Sequence, residues 1–276
     1  MRNLLTAGLA ILTIGMFSCQ KEVKDIFAPA GGSNGTRLVK TVDKSGSDST
    51  VTFYGYNSSG KIISADFAGV DSGQAFDLSI HYVRNSSNII QQQIVKSSDF
   101  SSLGIDSLVT YVRYDQGTNR YINAVSSFIL FGLPLADSIV FQYDGSGRLV
   151  TEIDYTDVGF GYGPVTKKEY TYAGNNLATE KVYQYDFSTS TYSLEDTYTY
   201  EYDAKVNPLQ FATDAPVLNL FPFYSANNVL KTTYVSSDPS YNFIMTEAYA
   251  YNSSNRPITD ISTTGSDITT TTYYYQ

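Results

Sequence analysis

Tryptophan is absent from this 276-residue chain, and cysteine and histidine occur once each, as Cys19 and His81. Each shortage removes a class of chemistry. A single cysteine cannot close an internal disulfide, and one standing ahead of the folded part of the chain cannot act as a nucleophile there. One histidine leaves His81 as the sole candidate base of a nucleophilic triad and gives too few ligands for structural zinc. His81 lies in Ser79-Ile80-His81-Tyr82-Val83, where period-two alternation turns it away from Ile80 and Tyr82 toward solvent. Positive charge is scarce as well: 18 Lys and Arg stand against 27 Asp and Glu, a net charge of -9. An acidic surface repels nucleic acid and anionic lipid, so no nucleic-acid partner is expected. No metal or cofactor is expected either. The Asp- and Asn-rich turns lack the regular spacing of a calcium loop. Gly159-Phe160-Gly161-Tyr162-Gly163-Pro164 lacks the strand-to-helix setting of a phosphate loop.

Long apolar runs are missing too, except at the start. Leu4 to Phe17 form an apolar stretch behind Arg2. It is shorter than the roughly 20 residues a spanning helix needs, and it suits the core of a secretion signal over residues 1–18. The later run Phe128 to Ala136 is short and broken by Pro134. The signal ends in Met16-Phe17-Ser18-Cys19, which resembles a bacterial lipobox, with small Ser18 before the modified cysteine. Met16 and Phe17 depart from the commoner leucine and small residue. The resemblance implies lipid on Cys19 and attachment to a membrane through it. The alternative is a cleaved secretory signal with an incidental cysteine. Gln20-Lys21-Glu22 is similar to the export tag of Bacteroidetes surface lipoproteins, which implies the outer membrane and display on the cell surface. Residues 19–36 then form the lipidated cysteine and a flexible tether, with Pro29 and Gly31-Gly32-Ser33-Asn34-Gly35. Residues 37–276 remain as one domain.

What is abundant is tyrosine, 25 residues of it, set in a repeated phrase. A strand ends in Tyr, an Asx-Gly turn follows, and a second strand begins. The fullest copy is Phe141-Gln142-Tyr143-Asp144-Gly145-Ser146-Gly147-Arg148-Leu149. Anchors fall at Tyr56, Tyr82, Tyr114, Tyr143, Tyr172, Tyr202 and Tyr251, with a weaker copy at Tyr224, in steps of 22 to 32 residues. Such a step holds two strands and two turns, so the unit is a β-hairpin with its link. In Asp196-Thr197-Tyr198-Thr199-Tyr200-Glu201-Tyr202 the tyrosines share one face, and in Ser138 to Tyr143 so do Ile139, Phe141 and Tyr143. That alternation marks half-buried antiparallel strands. The Pro-rich stretch Asn207 to Asn228 interrupts the pattern and reads as a short helix or a capping loop over an exposed edge. The fold expected is all-β: an antiparallel meander of hairpins forming a large curled sheet, an open shell or a partial barrel.

Tyr143-Asp144-Gly145-Ser146-Gly147-Arg148-Leu149 is similar to the YD repeat of Rhs-type proteins, whose hairpins coil into a β-sheet shell. With the lipoprotein start, and with Asn207-Pro208 and Asn227-Asn228, residues 50–276 look like small Bacteroidetes lipoproteins carrying degenerate YD-like repeats. Those are domains of unknown function of the DUF4595 type. Ala173 and Ser225 depart from the Asp or Asn of the repeat. The resemblance implies a fold and an address rather than an activity.

Carboxylates remain as candidates for chemistry. Asp144, Glu152 and Asp154 near one hairpin, and Glu195, Asp196 and Glu201 near another, are the pairs to consider for glycoside hydrolysis. Asp144 belongs to a turn, and the others read as solvated acids on polar strand faces, so no catalytic residue is assigned. Asp48-Ser49-Thr50, Asp106-Ser107-Leu108 and Asp137-Ser138-Ile139 resemble the Bacteroidetes O-glycosylation sequon, making Ser49, Ser107 and Ser138 candidate sites. As turn-formers ahead of repeat strands they have a structural explanation as well. The function expected is non-catalytic: a lipid-anchored envelope protein serving as a structural or binding module for a glycan or protein partner. The alternatives are a carboxylate-dependent glycan hydrolase and a carrier of lipid or lipoprotein.

Overall fold

The computed structural model describes residues 37–276 except 103, 131–132, 158–162, 211–213 and 219–224. Cys19, the signal, the tether, Tyr224 and most of the Gly159–Pro164 loop lie outside the described residues. The strands are β1 Leu38–Ser45, β2 Asp48–Tyr56, β3 Ile62–Asp71, β4 Gln74–Arg84, β5 Ile90–Lys96, β6 Leu108–Asp115, β7 Arg120–Leu130 and β8 Leu133–Tyr143. They continue as β9 Leu149–Asp157, β10 Gly163–Ala173, β11 Asn176–Asp186, β12 Thr191–Val206, β13 Asn227–Ser236, β14 Phe243–Tyr251, β15 Pro257–Thr264 and β16 Asp267–Tyr275. Two short helices, α1 Ser98–Ser102 and α2 Ala215–Leu218, sit in loops.

Each strand pairs with its neighbours in sequence, and β1 also pairs with β16, so the meander closes into a sixteen-stranded barrel. The antiparallel meander agrees with the reading of the sequence. The open shell or partial barrel does not. Closure rests on the threonine- and tyrosine-rich C-terminal strand, which takes up the free edge of β1 from Leu38↔Tyr275 to Lys44↔Thr270. Arg37 and Gln276 then exchange two backbone hydrogen bonds of 3.1 and 2.9 Å. Once every strand is paired, no edge remains to be capped.

The repeat is a bulged register met eight times around one rim. Tyr56 pairs with Ile62, Tyr114 with Tyr121, Tyr143 with Leu149, Tyr172 with Leu177, Tyr202 with Val229, Tyr251 with Pro257 and Tyr275 with Leu38, each beside a one-residue slip. The hydroxyls of Tyr56, Tyr143, Tyr202 and Tyr275 donate to the carbonyls of Leu38, Tyr121, Leu177 and Pro257 at 2.6–2.8 Å, tying β2, β8, β12 and β16 each to the start of the strand before it. Two anchors differ from those picked by pattern. The position that pairs with Ile90 is Arg84, not Tyr82, and its Nε donates to the Ile62 carbonyl at 2.9 Å in place of a tyrosine hydroxyl. The other is Tyr275, an anchor that the pattern does not pick; Tyr224 lies outside the described residues. Tyr82 and Arg84 share a face, and only the bulge separates their roles.

The turns on this rim behave as their sequences indicate. The side-chain oxygen at the first position accepts two backbone N–H bonds in four copies: Asn57 from Ser59 and Lys61, Asn85 from Ser87 and Ile89, Asp144 from Ser146 and Arg148, and Asn252 from Ser254 and Arg256. The left-handed position holds Gly or Asn, as at Gly147 with φ 88° and Asn255 with φ 57°, because other side chains pay a steric penalty there. The opposite rim is made largely of tighter hairpins such as those at Gly46 and Gly265.

Candidate functional site

Alternation sends one row of each strand inward and one outward, and the two rows differ in chemistry. The inward row carries Ile62, Ile80, Tyr82, Ile90, Tyr121, Phe141, Leu149, Tyr170 and Leu177 in one buried cluster, with Tyr54, Phe67, Leu78 and Ile139 packed against it. The outward row carries Lys167, Lys181, Lys231, Glu201, Asp66 and His81 within the strands, and threonines such as Thr197, Thr199, Thr233 and Thr270 between them. The difference is one of degree: the inward row also holds Glu152, Glu247 and Asp260, and the outward row also holds Tyr111, Val235, Ile244, Ile261 and Ile268, 47–58% exposed.

The described residues of the loop joining β12 to β13, 207–210, 214–218 and 225–226, lie at the anchored rim. On the closed ring, β4 stands half-way round from β12, yet Asp214 of this loop receives Arg84 Nη2 at 2.9 Å and the Tyr121 hydroxyl at 3.0 Å. Both charged side chains are almost wholly buried, at 3% and 7% exposure. Arg84 is held by the Ile62 and Asn88 carbonyls at 2.9 and 2.6 Å, and the Tyr121 oxygen accepts from the Ile90 N–H at 3.0 Å. Behind Asp214, α2 buries Val217 and Leu218 in the inward cluster. At the base of the loop, buried Ser225 accepts from the Leu177 N–H at 3.2 Å, and Asn207 donates to the Ser225 carbonyl at 2.9 Å. The stretch expected to be a short helix or a capping loop does hold the short helix α2, and its described residues seat against the inward cluster as a stopper instead of covering an edge.

Under the stopper lies a cavity of about 210 Å³, lined by Pro208 and Leu209 of the loop, by Asn228, Val229, Met245, Glu247, Tyr249, Asp260 and Tyr273 of the wall, and by Asn207. Tyr249 pairs directly with Asp260, and Glu247 with Ser262, so the two acids are diagonal neighbours on the inward face. Ser262 Oγ donates to Glu247 Oε1 at 3.2 Å. Asp260 is 5% exposed. Glu247 Oε2 and Asp260 Oδ1 are both buried with no donor from another group, which one proton shared between the two carboxyls would resolve. Burial, and then the neighbouring Glu247, push Asp260 up to about 8, and burial raises Glu247. Two acids this close titrate as a pair, holding one proton through neutral pH. Burial also raises the phenols of Tyr249 and Tyr273.

The acids singled out from sequence are spread over both faces. Asp144 is a turn residue paired with Arg148 at 2.8 Å, and Glu201 is a solvated acid that meets Lys231 at 2.7 Å. Glu195 accepts from Ser237 at 2.5 Å on the far rim. Glu152, Asp154 and Asp196 do not sit on a polar outer face. Glu152 is 4% exposed inside the lumen, Asp154 is driven up to about 6 by burial and by Asp137, and Asp196 accepts from Tyr234 at 2.6 Å. In this barrel a polar residue alternating against tyrosine is sometimes the inward one, because bulges change the phase. Glu247 and Asp260 were missed. The alternation of Glu247, Tyr249 and Tyr251 in one row was the available signal.

His81 faces outward as expected, 3.7 Å from Asp66 and 2.8 Å from Ser79. Ser49 and Ser138 lie within β2 and β8, paired with Lys44 and Val70 and with Val125 and Tyr155, while Ser107 precedes β6. The three serines are not brought together. Among the described residues no cluster of three or more metal-ligating side chains occurs.

No family model and no curated protein matches the chain. Solved structures do. A porin-like protein from Bacteroides uniformis superposes with a TM-score of 0.55 at 10% identity, covering 88% of this chain and 99% of that one. A porin-like protein from Bacteroides vulgatus gives 0.53 at 13% identity, over 87% and 99%. At these identities the likeness concerns the fold. The direction of the side chains has to be read from this chain itself.

Proposed function

We propose that the protein is a non-catalytic envelope protein, attached to the outer membrane by lipid on Cys19, whose barrel stands in water and binds a partner instead of conducting solutes. One observation carries the reading: Lys167, Lys181 and Lys231 point out of the wall while an apolar cluster lies within it, and Arg84 and Asp214 latch the described part of a loop across the rim. Charged residues at the middle of a bilayer each cost roughly 2–4 kcal/mol for Lys or Arg, and this wall carries Lys167, Lys181 and Lys231 outward on β10, β11 and β13. Kinship with YD-repeat lipoproteins is supported by the eight bulged registers of one rim, with their four Asx turns and four tyrosine ties. A glycan or protein partner on the outside would meet exposed aromatics such as Tyr111, Phe187 and Tyr241, at 58%, 59% and 66% exposure. The test is a Cys19→Ala chain, which should stay soluble without detergent, leave the membrane fraction, and give no conductance in planar bilayers. A detergent-dependent, conducting protein would overturn the proposal.

A second reading, hydrolysis by paired carboxylates, is favoured by the proton shared between Glu247 and Asp260. Against it, a cavity of about 210 Å³ is smaller than the ~300–1,000 Å³ typical of sites for larger ligands. Turnover of a glycan, lost in Asp260→Asn with the fold intact, would establish this reading in place of the first.

A further inference from the structure

We propose that the cavity under the stopper binds a small primary alkylammonium ion, its charged head between Glu247 and Asp260 and its chain against Leu209, Val229 and Met245. This deepens the reading of the barrel as a closed binding module and rests on it. Three features on different elements agree. Asp260 is 95% removed from solvent and its Oδ1 meets no group but the proton shared with Glu247, a proton that a cationic N–H group can replace. The lining contains no lysine or arginine, so nothing in the protein neutralises the pair from within the cavity. Tyr249 and Tyr273 add aromatic rings, which attract cations through their faces. Apolar Pro208, Leu209, Val229 and Met245 make up much of the rest. That wall suits a short hydrocarbon chain and suits a hydrated metal poorly, since calcium seeks six to eight oxygen ligands.

Binding is an exchange. The protonated carboxyl pair gives up its shared proton to solvent as the ammonium enters, so the charge of the occupied site stays where it was and one proton appears per cation bound. The groups facing the pair are Tyr249 from its own sheet row, Tyr273 from β16, and Asp203 and Asp43 further away, whose charges also act on those tyrosines. All are acidic, so none favours early loss of the proton. Affinity should therefore rise with pH, by about tenfold per unit up to the pair's upper titration near 8 and little beyond it.

Calorimetric titration of the intact chain in detergent with n-butylammonium chloride tests this, with butan-1-ol and calcium chloride as comparison probes. The expected result is saturable butylammonium binding at pH 8.5 with only a fraction of a proton released, release rising to about one proton per cation near pH 6.5 across buffers of different ionisation enthalpy, and about tenfold weakening per pH unit below 8. Asp260→Asn and Glu247→Gln, nearly isosteric changes, should each weaken binding at least tenfold without altering the circular dichroism. Tyr273→Phe, which keeps the ring, should bind nearly as well as the parent chain. Equal binding of butan-1-ol, competition by calcium, unchanged affinity in Asp260→Asn, or no saturable heat would each overturn the inference. Failure here would leave the non-conducting barrel intact, because solubility and conductance are read separately.

Discussion

Lys231 and Glu201 meet at 2.7 Å on the outer wall with 37% and 64% of their side chains exposed, while Arg84 and Asp214 meet at 2.9 Å inside with 3% and 7% exposed. The distances are alike and the surroundings are opposite. Water screens the outer pair and is ready to solvate either partner alone, so it contributes little. Inside, neither charge has an alternative, and the pair persists because carbonyls and a tyrosine hydroxyl complete its hydrogen bonding. The same strands thus run two chemistries, one per face. Polar residues are ordinary on the outside and purposeful on the inside.

Breaking the inner pair should have the largest effect. Arg84→Ala or Asp214→Ala leaves a buried charge unpaired and should cost about 3–5 kcal/mol in chemical unfolding, and the loop at the stopper should become sensitive to protease. A loss below ~1 kcal/mol would mean that the loop is not held there. Next comes Ile62→Ala, at the first, fully buried position of a repeat, with an expected cost of about 2–5 kcal/mol. The outward Ile261, 47% exposed, should tolerate the same change within ~0.5 kcal/mol. Equal costs would remove the distinction between the faces.

The acid pair gives an intermediate effect with a pH signature. Asp260 takes up its proton more readily when folded, near 8 against an ordinary value near 4. Stability from this group is therefore fully present below pH 4 and is lost as pH rises through about 8. Asp260→Asn should be neutral at low pH and stabilising by more than ~1 kcal/mol at pH 9, read as a melting curve that no longer falls with pH. A variant equally destabilised at both pH values would show that the carboxyl is a structural acceptor instead. The smallest effect belongs to Lys231→Ala, at most about 1 kcal/mol and less in high salt.

Much of the fold was legible because it repeats. Tyr143-Asp144-Gly145-Ser146-Gly147-Arg148 combines a strand end, an Asx turn and a left-handed glycine, and each of those follows from local sterics and hydrogen bonding. Register was harder. Choosing Tyr82 over Arg84 follows from aromatic alternation, yet the bulge between Val83 and Arg84 puts the arginine at the tying position. A departure from the repeat thus marked the latch to Asp214, 130 residues along the chain. The acid pair escaped because Glu247 and Asp260 belong to separate strands, and an acid beside tyrosine looks the same in sequence whether its row faces water or lumen.

Hairpins, turns, the bulk acidity and the poverty in histidine and cysteine were settled by the sequence alone, since each depends on residues close together or on composition. Closure of the sheet, the seating of the Asp214 loop within it and the raised affinity of Asp260 for its proton were decided by the tertiary structure. Each of these depends on which distant segments meet and on how much water is excluded where they do. Pairing β1 with β16 joins the two ends of the domain, and only after that closure does an inward row have an interior in which burying a carboxylate has a cost.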